Sequence, residues 1–425
     1  MISLVISLVL MSLYLFSIVR KEDNLFSACL TLLILFHDIL FVTVKGTVPE
    51  ILYYAIKSWQ EILTVFGLVL FVRSGKKPGW IGWVLIGLIL YGLLRGITLQ
   101  TKAFEMFKGF RMYLLFFTGL ILFYQTSYFN KINIKLVFTI FIAFTTASAL
   151  YSFWIDAIFV KDLRVLWFYD FVNQINPIEL ARYNYIRDGG LRACGLLISP
   201  LIQSILLGFS SLVLSLFILK RPKAEKKLWI IVLLGIQIAG LYLCRTRIGW
   251  FVLGGGLLLA LLHFYHHRLT LYQAFLFPVC LIVMTLFILI FGFTNDPSAL
   301  GRIPQYIHLF SDFNWFGLGF GHPSTLTYFD SMYISAGLTF GITGLLYMSI
   351  PVMACALLHA ERKKYQDVNQ PESLFFAAAY GFSFILLYVF AFQFTLGSPT
   401  VLMFYFLVYA FLLNNKVEVQ SPVNG

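Results

Sequence analysis

Two closely spaced arginines mark the part of this chain that is best suited to bind an anion. Arg245 and Arg247 stand in the segment CRTRIGWFVLGGG, directly before a glycine-rich apolar run. A guanidinium is a rigid planar fork that binds phosphate or carboxylate through two hydrogen bonds, and the first N–H groups of a helix attract the same charge. The segment predicts an anion site at a helix start, with a pair of lipid-anchoring side chains as the alternative.

Two long polar stretches hold the other candidates. The first ends in RACGLLISP, where Arg192 precedes Ser199 and Pro200. The proline predicts a break or tilt at the start of the next helix, and an arginine ahead of such a break could face a cavity. Upstream, a mixture of aromatic, amide and charged residues suits either the binding of sugar rings or a helix that lies on the membrane surface.

The second polar stretch, Gly301 to Leu346, surrounds the glycine turn GLGFG. Arg302 adds another guanidinium there, and His322 or Asp330 could accept the proton of an attacking hydroxyl. Aspartate is also a favoured N-cap residue, so capping of the helix that follows is the simpler role for Asp330. The stretch also contains His308 and Asp312.

The elements that must position these residues are apolar helices embedded in lipid. The chain has 425 residues, of which 60% are hydrophobic and 12% are charged, about half the charged fraction of a soluble domain. Since roughly 20 apolar residues cross a membrane, the sequence predicts an all-α, polytopic membrane helix bundle of about 12 to 14 spans, in a single domain over residues 1–425. A soluble enzyme is excluded, and the net charge of +12, scattered over short loops, argues against nucleic acid as a partner.

Apolar runs bounded by charged or turn-forming residues predict about thirteen spans. The N-terminal run lacks the basic start and the small-residue cleavage site of a signal peptide, so it is expected to remain as the first span. The predicted spans lie near 2–19, 25–43, 50–72, 79–95, 108–125, 136–155, 197–219, 228–244, 248–264, 273–293, 331–358, 374–392 and 397–413.

Basic residues of short loops predict the orientation, because such loops stay on the cytoplasmic side. Threading the predicted spans in order brings five basic loops to one face, namely residues 20–21, 73–77, 220–227, 266–268 and 361–364. This arrangement puts the N-terminus outside. It also leaves the two larger loops, residues 156–196 and 294–330, on the outer face, where we expect a catalytic surface.

Lysine and arginine are divided unevenly between the two predicted faces. The inner face has five arginines and twelve lysines, whereas the outer face and the spans have nine arginines and five lysines. Point charges suffice for the positive-inside preference, so arginines placed outside against it indicate binding of phosphate or carboxylate. The alternative is that they contact lipid phosphates or pair with outer acids such as Asp162, Asp170, Glu179 and Asp188.

Several other patterns favour structural roles. The five cysteines are widely spaced, without a CxxC pair, and are expected to pack. The glycines at 254–256 lie within a predicted span and are expected to allow close helix packing. His37 and Asp38, with Lys57 and Glu61, predict buried pairs or a proton path, and we favour structural pairs.

The sequence shows no constellation for a metal or a nucleotide. His263, His266 and His267 cluster without the carboxylate or cysteine partners that a zinc site needs, and are expected to fill aromatic surroundings. Walker A, GxSxG and DxD patterns are absent. We therefore expect no cofactor.

Three of these segments, in order, resemble the signature of the O-antigen polymerase and O-antigen ligase superfamily of bacterial polysaccharide assembly proteins. The resemblance lies in CRTRIGWFVLGGG, in GRIPQYIHLF followed by NWFGLGFG, and in FDSMYISAGLTFGITGLL, with RACGLLISP as weaker support. It covers the second half of the chain. The first half matches in hydropathy and in the basic helix start KGFRMYLLFF, which contains Arg111.

The resemblance implies metal-independent glycosyl transfer at the outer face of the bacterial inner membrane, from a glycan carried on polyprenyl diphosphate. The departing diphosphate gains negative charge, which fixed guanidiniums stabilise. By the resemblance, Arg245 and Arg247 match the family's helix-start arginine. Arg192 matches its loop arginine and Arg302 that of the second loop, and Arg111 is a further candidate for binding diphosphate or glycan.

One position bears on which of the family's two activities is expected here. Asp330 stands where the polymerases often have aspartate and the ligases have an essential histidine followed by asparagine. Here the pair is Asp330-Ser331, and the nearest histidine, His322, is eight residues upstream. This favours a polymerase of repeat units for O-antigen, capsule or exopolysaccharide, with His322 and Asp330 as candidate catalytic residues.

Two alternatives stay open. One is a ligase that transfers a finished glycan to a lipid or protein acceptor. The other is a transporter or flippase of lipid-linked oligosaccharide, although no internal repeat of the kind that transporters show is visible. The expected partners are the lipid-linked oligosaccharide, membrane lipids, and chain-length regulator and flippase proteins.

The predicted orientation is tested with reporter fusions along the chain. Fusions after residues 77 and 364 are expected to report the cytoplasm, because both follow basic loops. Fusions within 156–196 and 294–330 are expected to report the outer side. Residues 192, 245 and 302 facing the cytoplasm would contradict the orientation and the site drawn from it.

Overall fold

The computed structural model describes residues 2–37, 44, 48–158, 186–187, 190–197, 199–219, 224–266, 268–290, 304, 307, 314–322, 331–393 and 397–420. Helices make up nearly all of these ranges, which confirms the predicted all-α, polytopic membrane helix bundle. The only β structure in them is a two-residue hairpin that pairs Ile186–Arg187 (β1) with Gly190–Leu191 (β2).

The described part of every predicted span is mainly helical, although the predicted spans 50–72, 108–125 and 331–358 are each divided between two or more helices. The N-terminal half contains Ile2–Arg20 (α1), Asp23–Leu35 (α2), Glu50–Lys57 (α3), Trp59–Ser74 (α4), Trp80–Thr98 (α5), Ala103–Phe110 (α6), a π-helix over Arg111–Leu115, Phe116–Thr126 (α7) and Ile134–Ile158 (α8). The C-terminal half contains Pro200–Leu219 (α9), Ala224–Leu243 (α10), Ile248–Tyr265 (α11), Leu271–Ile290 (α12), Met332–Phe340 (α13), Gly344–Glu361 (α14), Pro371–Phe392 (α15) and Pro399–Gln420 (α16).

Length and composition identify the membrane-crossing helices. Among the described residues, eight helical stretches are long and apolar enough to cross a membrane, and α3 with α4 adds a ninth if the bent pair is one span. Three shorter apolar helices cover Leu4–Arg20, Asp23–Leu35 and Lys227–Leu243. The chain is therefore a multi-pass membrane protein, and the number of thirteen crossings stays a prediction.

The helix irregularities lie at other places than the sequence suggested. Pro200 is the first residue of α9, so the predicted break there is wrong: a proline fits the first helical turn, where no N–H is needed. The described breaks are instead a 60° bend between α3 and α4 at Ser58, the π-helix that begins at Arg111, and Gly341, with a φ of 58°, between α13 and α14.

Hydrogen bonds join several basic loops at one end of the bundle. The Nζ atoms of Lys76 and Lys416 donate to the last carbonyl groups of α7, at 3.1 Å each. The Tyr128 hydroxyl, in the loop after α7, donates to the carbonyl of Ile18 in α1, at 2.7 Å. We call this the lysine end and define it by Lys21, Lys76, Lys131 and Lys416.

The other ends of the same helices carry the outer arginines. We call this the arginine end and define it by Arg95, Arg111, Arg192, Arg245 and Arg247. Helix α4, for example, begins beside Arg111 and finishes two residues before Lys76. For α4 the separation agrees with the predicted threading, while the full threading and the side of the membrane that each end faces stay predictions.

Glycines allow helices α11, α15 and α9 to approach closely. A β-carbon at Gly381 of α15 would overlap the carbonyl oxygen of Gly256 in α11. A β-carbon at Gly256 would meet Leu212 of α9, and one at Gly255 would meet α15. The predicted packing role is confirmed for Gly255 and Gly256, whereas Gly254 faces open space, so the prediction is wrong there.

The glycine contact predicts opposite effects for two similar substitutions. Gly381→Ala is expected to lower the free energy of unfolding by about 1–3 kcal/mol, because its methyl group meets backbone that cannot rotate away. Gly254→Ala is the matched control and is expected to be neutral or stabilising by up to about 1 kcal/mol, from helix propensity alone. Thermal unfolding in one detergent measures both. Equal melting temperatures would contradict the close backbone contact.

Candidate functional site

The arginine turn, residues 244–247, connects α10 to α11 at the arginine end. Arg245 has a φ of 49°, a left-handed conformation that costs a residue with a side chain about 1–3 kcal/mol and is found most often at functional sites. Arg247 occupies the N-cap position of α11. Both side chains are exposed, and both residues directly precede the first turn of α11, where a helix presents N–H groups that attract anions.

Arg192 lies against the arginine turn. Its side chain is buried, and its Nε atom donates a hydrogen bond to the carbonyl oxygen of Cys244 at 3.4 Å. The next residue, Ala193, donates its N–H to the carbonyl oxygen of Leu243 at 3.1 Å. The structure therefore brings together three predicted site residues, Arg192 with the two arginines of the turn.

The glycine segment, residues 314–322, runs beside the C-terminal part of α13. Its three glycines, at 317, 319 and 321, have φ angles of 65°, 73° and 75°, which glycine adopts without steric cost. The N–H groups of Leu318 and Gly319 donate to the carbonyl oxygens of Leu338 and Thr339, at 2.8 and 2.9 Å. The segment is thus held by backbone hydrogen bonds.

Phe320 and Arg95 fasten the glycine segment to α5 and α6. The Phe320 ring is fully buried in a notch at Gly92 and Gly109, where any β-carbon would crowd it. Arg95 donates from Nε and Nη2 to the carbonyl oxygen of Gly317, at 3.3 and 3.0 Å. Arg95, which the sequence placed only among the outer arginines, therefore anchors this segment.

The other predicted residues of the second polar stretch have different outcomes. His322 is half-buried and ends the glycine segment beside α6. Asp330 and Arg302 lie outside the described residues, as do His308 and Asp312. Ser331 is the N-cap of α13, and its Oγ accepts the N–H of Ile334 at 3.3 Å. The described N-cap of α13 is therefore Ser331, and the role expected for Asp330 stays a prediction.

An ion pair lies at the arginine end, where the π-helix faces the start of α4. Nε of Arg111 is 3.1 Å from Oε1 of Glu61, and each side chain is 20% exposed. Nη2 of Arg111 donates to the carbonyl oxygen of Lys57 at 2.7 Å, where α3 ends. The second Glu61 oxygen, Oε2, is buried and has no hydrogen-bond partner among the described residues.

This pairing differs from the one expected from the sequence. The charged partner of Glu61 in the described chain is Arg111, about fifty residues away, while Lys57 contributes its carbonyl group. His37 accepts a hydrogen bond at Nδ1 from the indole N–H of Trp59, at 3.1 Å. Asp38 lies outside the described residues. Arg111, expected to bind diphosphate or glycan, is thus already held by a carboxylate and a carbonyl.

A chain of contacts links the arginine turn to the π-helix through α15 and α13. The rings of Phe251, one turn into α11, and Tyr388 of α15 have centroids 5.3 Å apart. The Ser331 hydroxyl donates to the carbonyl oxygen of Phe390 at 3.4 Å. In α13, the Thr339 hydroxyl donates to the hydroxyl of Tyr113 in the π-helix at 3.0 Å.

A second chain of contacts, through α8, connects the arginine turn with the start of α4. Together with the first chain it forms a closed circuit of contacting elements. The Ser148 hydroxyl of α8 accepts the N–H of Leu196, at 2.7 Å, in the segment that carries Arg192. One turn away, Phe144 packs edge-on against Phe36, with ring centroids 4.8 Å apart. Phe36 precedes His37, which bonds the start of α4. The arginine turn and the Glu61–Arg111 pair therefore lie on one closed circuit of elements.

The structure also decides the roles expected for cysteine and histidine. Four of the five cysteines are buried, as expected for packing, whereas Cys280 is exposed on α12, so the prediction is wrong there. His263 is buried against Phe376 and Tyr380, which confirms aromatic surroundings for it. Among the described residues, no group of three His, Cys, Asp or Glu side chains could hold a metal ion.

Sequence reasoning missed two contacts of the site. The Glu61–Arg111 pair was detectable in principle, since a charge within an apolar segment needs a partner. The sequence does not show which residue is the partner of Glu61, because several basic residues could have paired with it. The sequence indicates the contact of Arg95 only weakly. The arginine lies close to Gly92 and Gly96 on one helix, a pattern that allows another segment to approach.

Comparison with known proteins adds no family to this geometry. No model of a known protein family matches the chain, and no curated protein matches it either. Fold and site therefore define the class of protein, a multi-pass, all-α membrane protein with a cluster of arginines at one end. The resemblance to the O-antigen superfamily stays a hypothesis drawn from the residues.

Replacing the Arg95 anchor is expected to loosen the glycine segment. Arg95→Ala removes two hydrogen bonds from a charged donor, of which one is typically worth about 1.5–3 kcal/mol. Amide hydrogen exchange at Leu318 and Gly319 is expected to accelerate by about tenfold or more. Lys102→Ala, an exposed cation near the end of α5, is the control and should leave exchange unchanged. Equal protection in both variants would show that Arg95 does not hold the segment.

Proposed function

We propose that the protein is a metal-independent membrane glycosyltransferase that polymerises polyprenyl-diphosphate-linked repeat units of O-antigen, capsule or exopolysaccharide. The arginine end faces the outer side of the bacterial inner membrane in this proposal. The observation that carries it is the hydrogen bond from Arg192 to the arginine turn, which brings three arginine residues to the segment that starts α11. Such a cluster fits an anion with two phosphate groups better than a neutral substrate.

The proposed chemistry uses the charge of that cluster. A sugar hydroxyl attacks the anomeric carbon of the donor glycan and gives its proton to a base. The bond from that carbon to the diphosphate oxygen breaks, with its electron pair leaving on the diphosphate. Arg245 and Arg247, both exposed, bind the diphosphate together with the N–H groups of α11. Their fixed positive charge lowers the barrier as negative charge develops on the leaving group.

The remaining residues position that reaction. Arg192 binds the carbonyl of Cys244 and so fixes the turn in its left-handed conformation. Asp330, which precedes the N-cap of α13, and His322 are proposed to contact the sugars, and Arg302 to bind the donor. The contacts through α15 supply support for this arrangement, because they link Ser331 with the start of α11.

Substitution of either arginine of the turn tests the proposal. Arg245→Ala and Arg247→Ala are each expected to lower polymerisation about 100-fold or more and to abolish long glycan chains, while protein abundance stays normal. Chain-length ladders on a gel, made with purified protein and lipid-linked repeat units in EDTA, measure the effect. Arg268→Ala, an exposed arginine in the loop after α11, is the matched control.

Each other outcome identifies an alternative or ends the proposal. Unchanged ladders in both arginine variants would refute the diphosphate site. A single transfer without a ladder would identify a ligase, and binding of lipid-linked glycan without any new glycosidic bond would identify a transporter. A strict requirement for a divalent metal would contradict the metal-independent mechanism.

A further inference from the structure

The Glu61–Arg111 pair has features that a structural ion pair does not need. One carboxylate oxygen, Oε1, is bound to Arg111, but Oε2 is buried without a hydrogen-bond partner among the described residues. A purely structural pair in apolar surroundings normally satisfies its remaining lone pairs. Oε2 therefore has free capacity to accept a proton or a hydrogen bond from a ligand.

Two helix irregularities meet at this pair. Arg111 is the first residue of the π-helix, and such insertions are frequent at functional sites. On the facing side, the 60° bend at Ser58 frees the carbonyl of Lys57, which binds the same guanidinium. Replacing a buried ion pair by apolar side chains is often neutral or stabilising, so stability alone does not explain why both helices deviate here.

The pair lies near the surface of the bundle, although Oε2 itself is buried. Each side chain is 20% exposed, so the exposed part of the pair is where a hydroxyl would have to enter to meet Oε2. It lies on the same circuit of contacts as the arginine turn, through α13 and α15 on one side and α8 on the other. A carboxylate and a cluster of cations at one end of the bundle match the two needs of glycosyl transfer, which are to remove a proton and to stabilise an anion.

We propose that Glu61, held in place by Arg111, binds the attacking hydroxyl of the acceptor sugar and accepts its proton. The hydroxyl oxygen forms the new bond to the anomeric carbon, its proton passes to Oε2 of Glu61, and the diphosphate departs with the electrons of the broken bond. Water then takes the proton from Glu61. Arg111 is a positioning residue, and the inference rests on the proposed function.

The test compares three variants of the full-length protein with polyprenyl-diphosphate-linked repeat units as substrate. Glu61→Gln keeps the size and the contact with Arg111 but removes the base, so kcat is expected to fall about 100-fold or more, with KM within about threefold. Wild-type kcat is expected to fall on the acid side, where the carboxylate becomes protonated, and Glu61→Gln is expected to lack this dependence. Glu105→Gln is the matched control, because Glu105 forms an exposed pair with Lys108 at the same end.

A kcat of Glu61→Gln within threefold of wild type overturns the inference, as does a wild-type pH profile in that variant. Should Glu61→Gln fail to fold, Glu61→Asp replaces it, because it keeps a carboxylate but withdraws it by one methylene group. We expect its kcat to fall at least about tenfold at unchanged melting temperature, and an unchanged kcat would overturn the inference.

The two proposals can fail separately. If wild type polymerises, Arg245→Ala does not, and Glu61→Gln behaves as wild type, only the role of Glu61 is refuted. If wild type neither polymerises nor binds polyprenyl diphosphate, the proposed function itself fails. Binding of polyprenyl diphosphate is expected to persist in Glu61→Gln and to be lost in Arg245→Ala.

Discussion

Guanidinium groups that bind main-chain carbonyl oxygens organise the arginine end of this protein. Arg192 donates to Cys244, Arg95 to Gly317 and Arg111 to Lys57. Cys244 and Lys57 lie at helix ends, and Gly317 lies in the non-helical glycine segment. A carbonyl freed at a helix end and a cation beside hydrocarbon both need a polar partner. Joined, they satisfy each other, and the arginines acquire fixed positions.

At the lysine end, carbonyl groups at a helix end are bound by lysine ammonium groups instead of guanidinium groups. Lys76 and Lys416 approach the last carbonyl groups of α7, where the helix dipole is negative. A flexible ammonium group suits this role, since it must only reach a carbonyl from a loop or a neighbouring helix. The planar fork of Arg111 binds a carboxylate and a carbonyl together, and that of Arg95 directs two N–H groups at one carbonyl. The uneven division of lysine and arginine in the sequence therefore corresponds to a difference in contacts.

The positions of the helices could be predicted from the sequence, because lipid forces every spanning segment to be apolar and to satisfy its own backbone. The bend at Ser58 and the π-helix at Arg111 could not, since they meet at a contact between segments that lie about fifty residues apart, which the sequence does not show. The arginine turn was predicted as a local feature, from two arginines before a glycine-rich run. Its association with Arg192 required the fold of the chain.

Errors in the prediction share a physical origin. Pro200 was interpreted by general preference, as a helix breaker. The structure gives it the first position of α9. Gly254 and Cys280 were assigned to packing by residue type, but each lies on the exposed face of its helix, away from the neighbouring helices. Which side of a helix a residue occupies is decided by its neighbours in space.

The Arg95 anchor has a consequence for biosynthesis. Its acceptor, the carbonyl of Gly317, is synthesised 222 residues later, so α5 enters the bilayer long before the contact can form. During that interval the guanidinium has to be held by water or lipid phosphate at the membrane surface. Until then, of the described hydrogen bonds of Arg95, only the bond from Nη1 to the Thr98 hydroxyl, within the same helix, can form, and the contact between α5 and the glycine segment has to form late in synthesis.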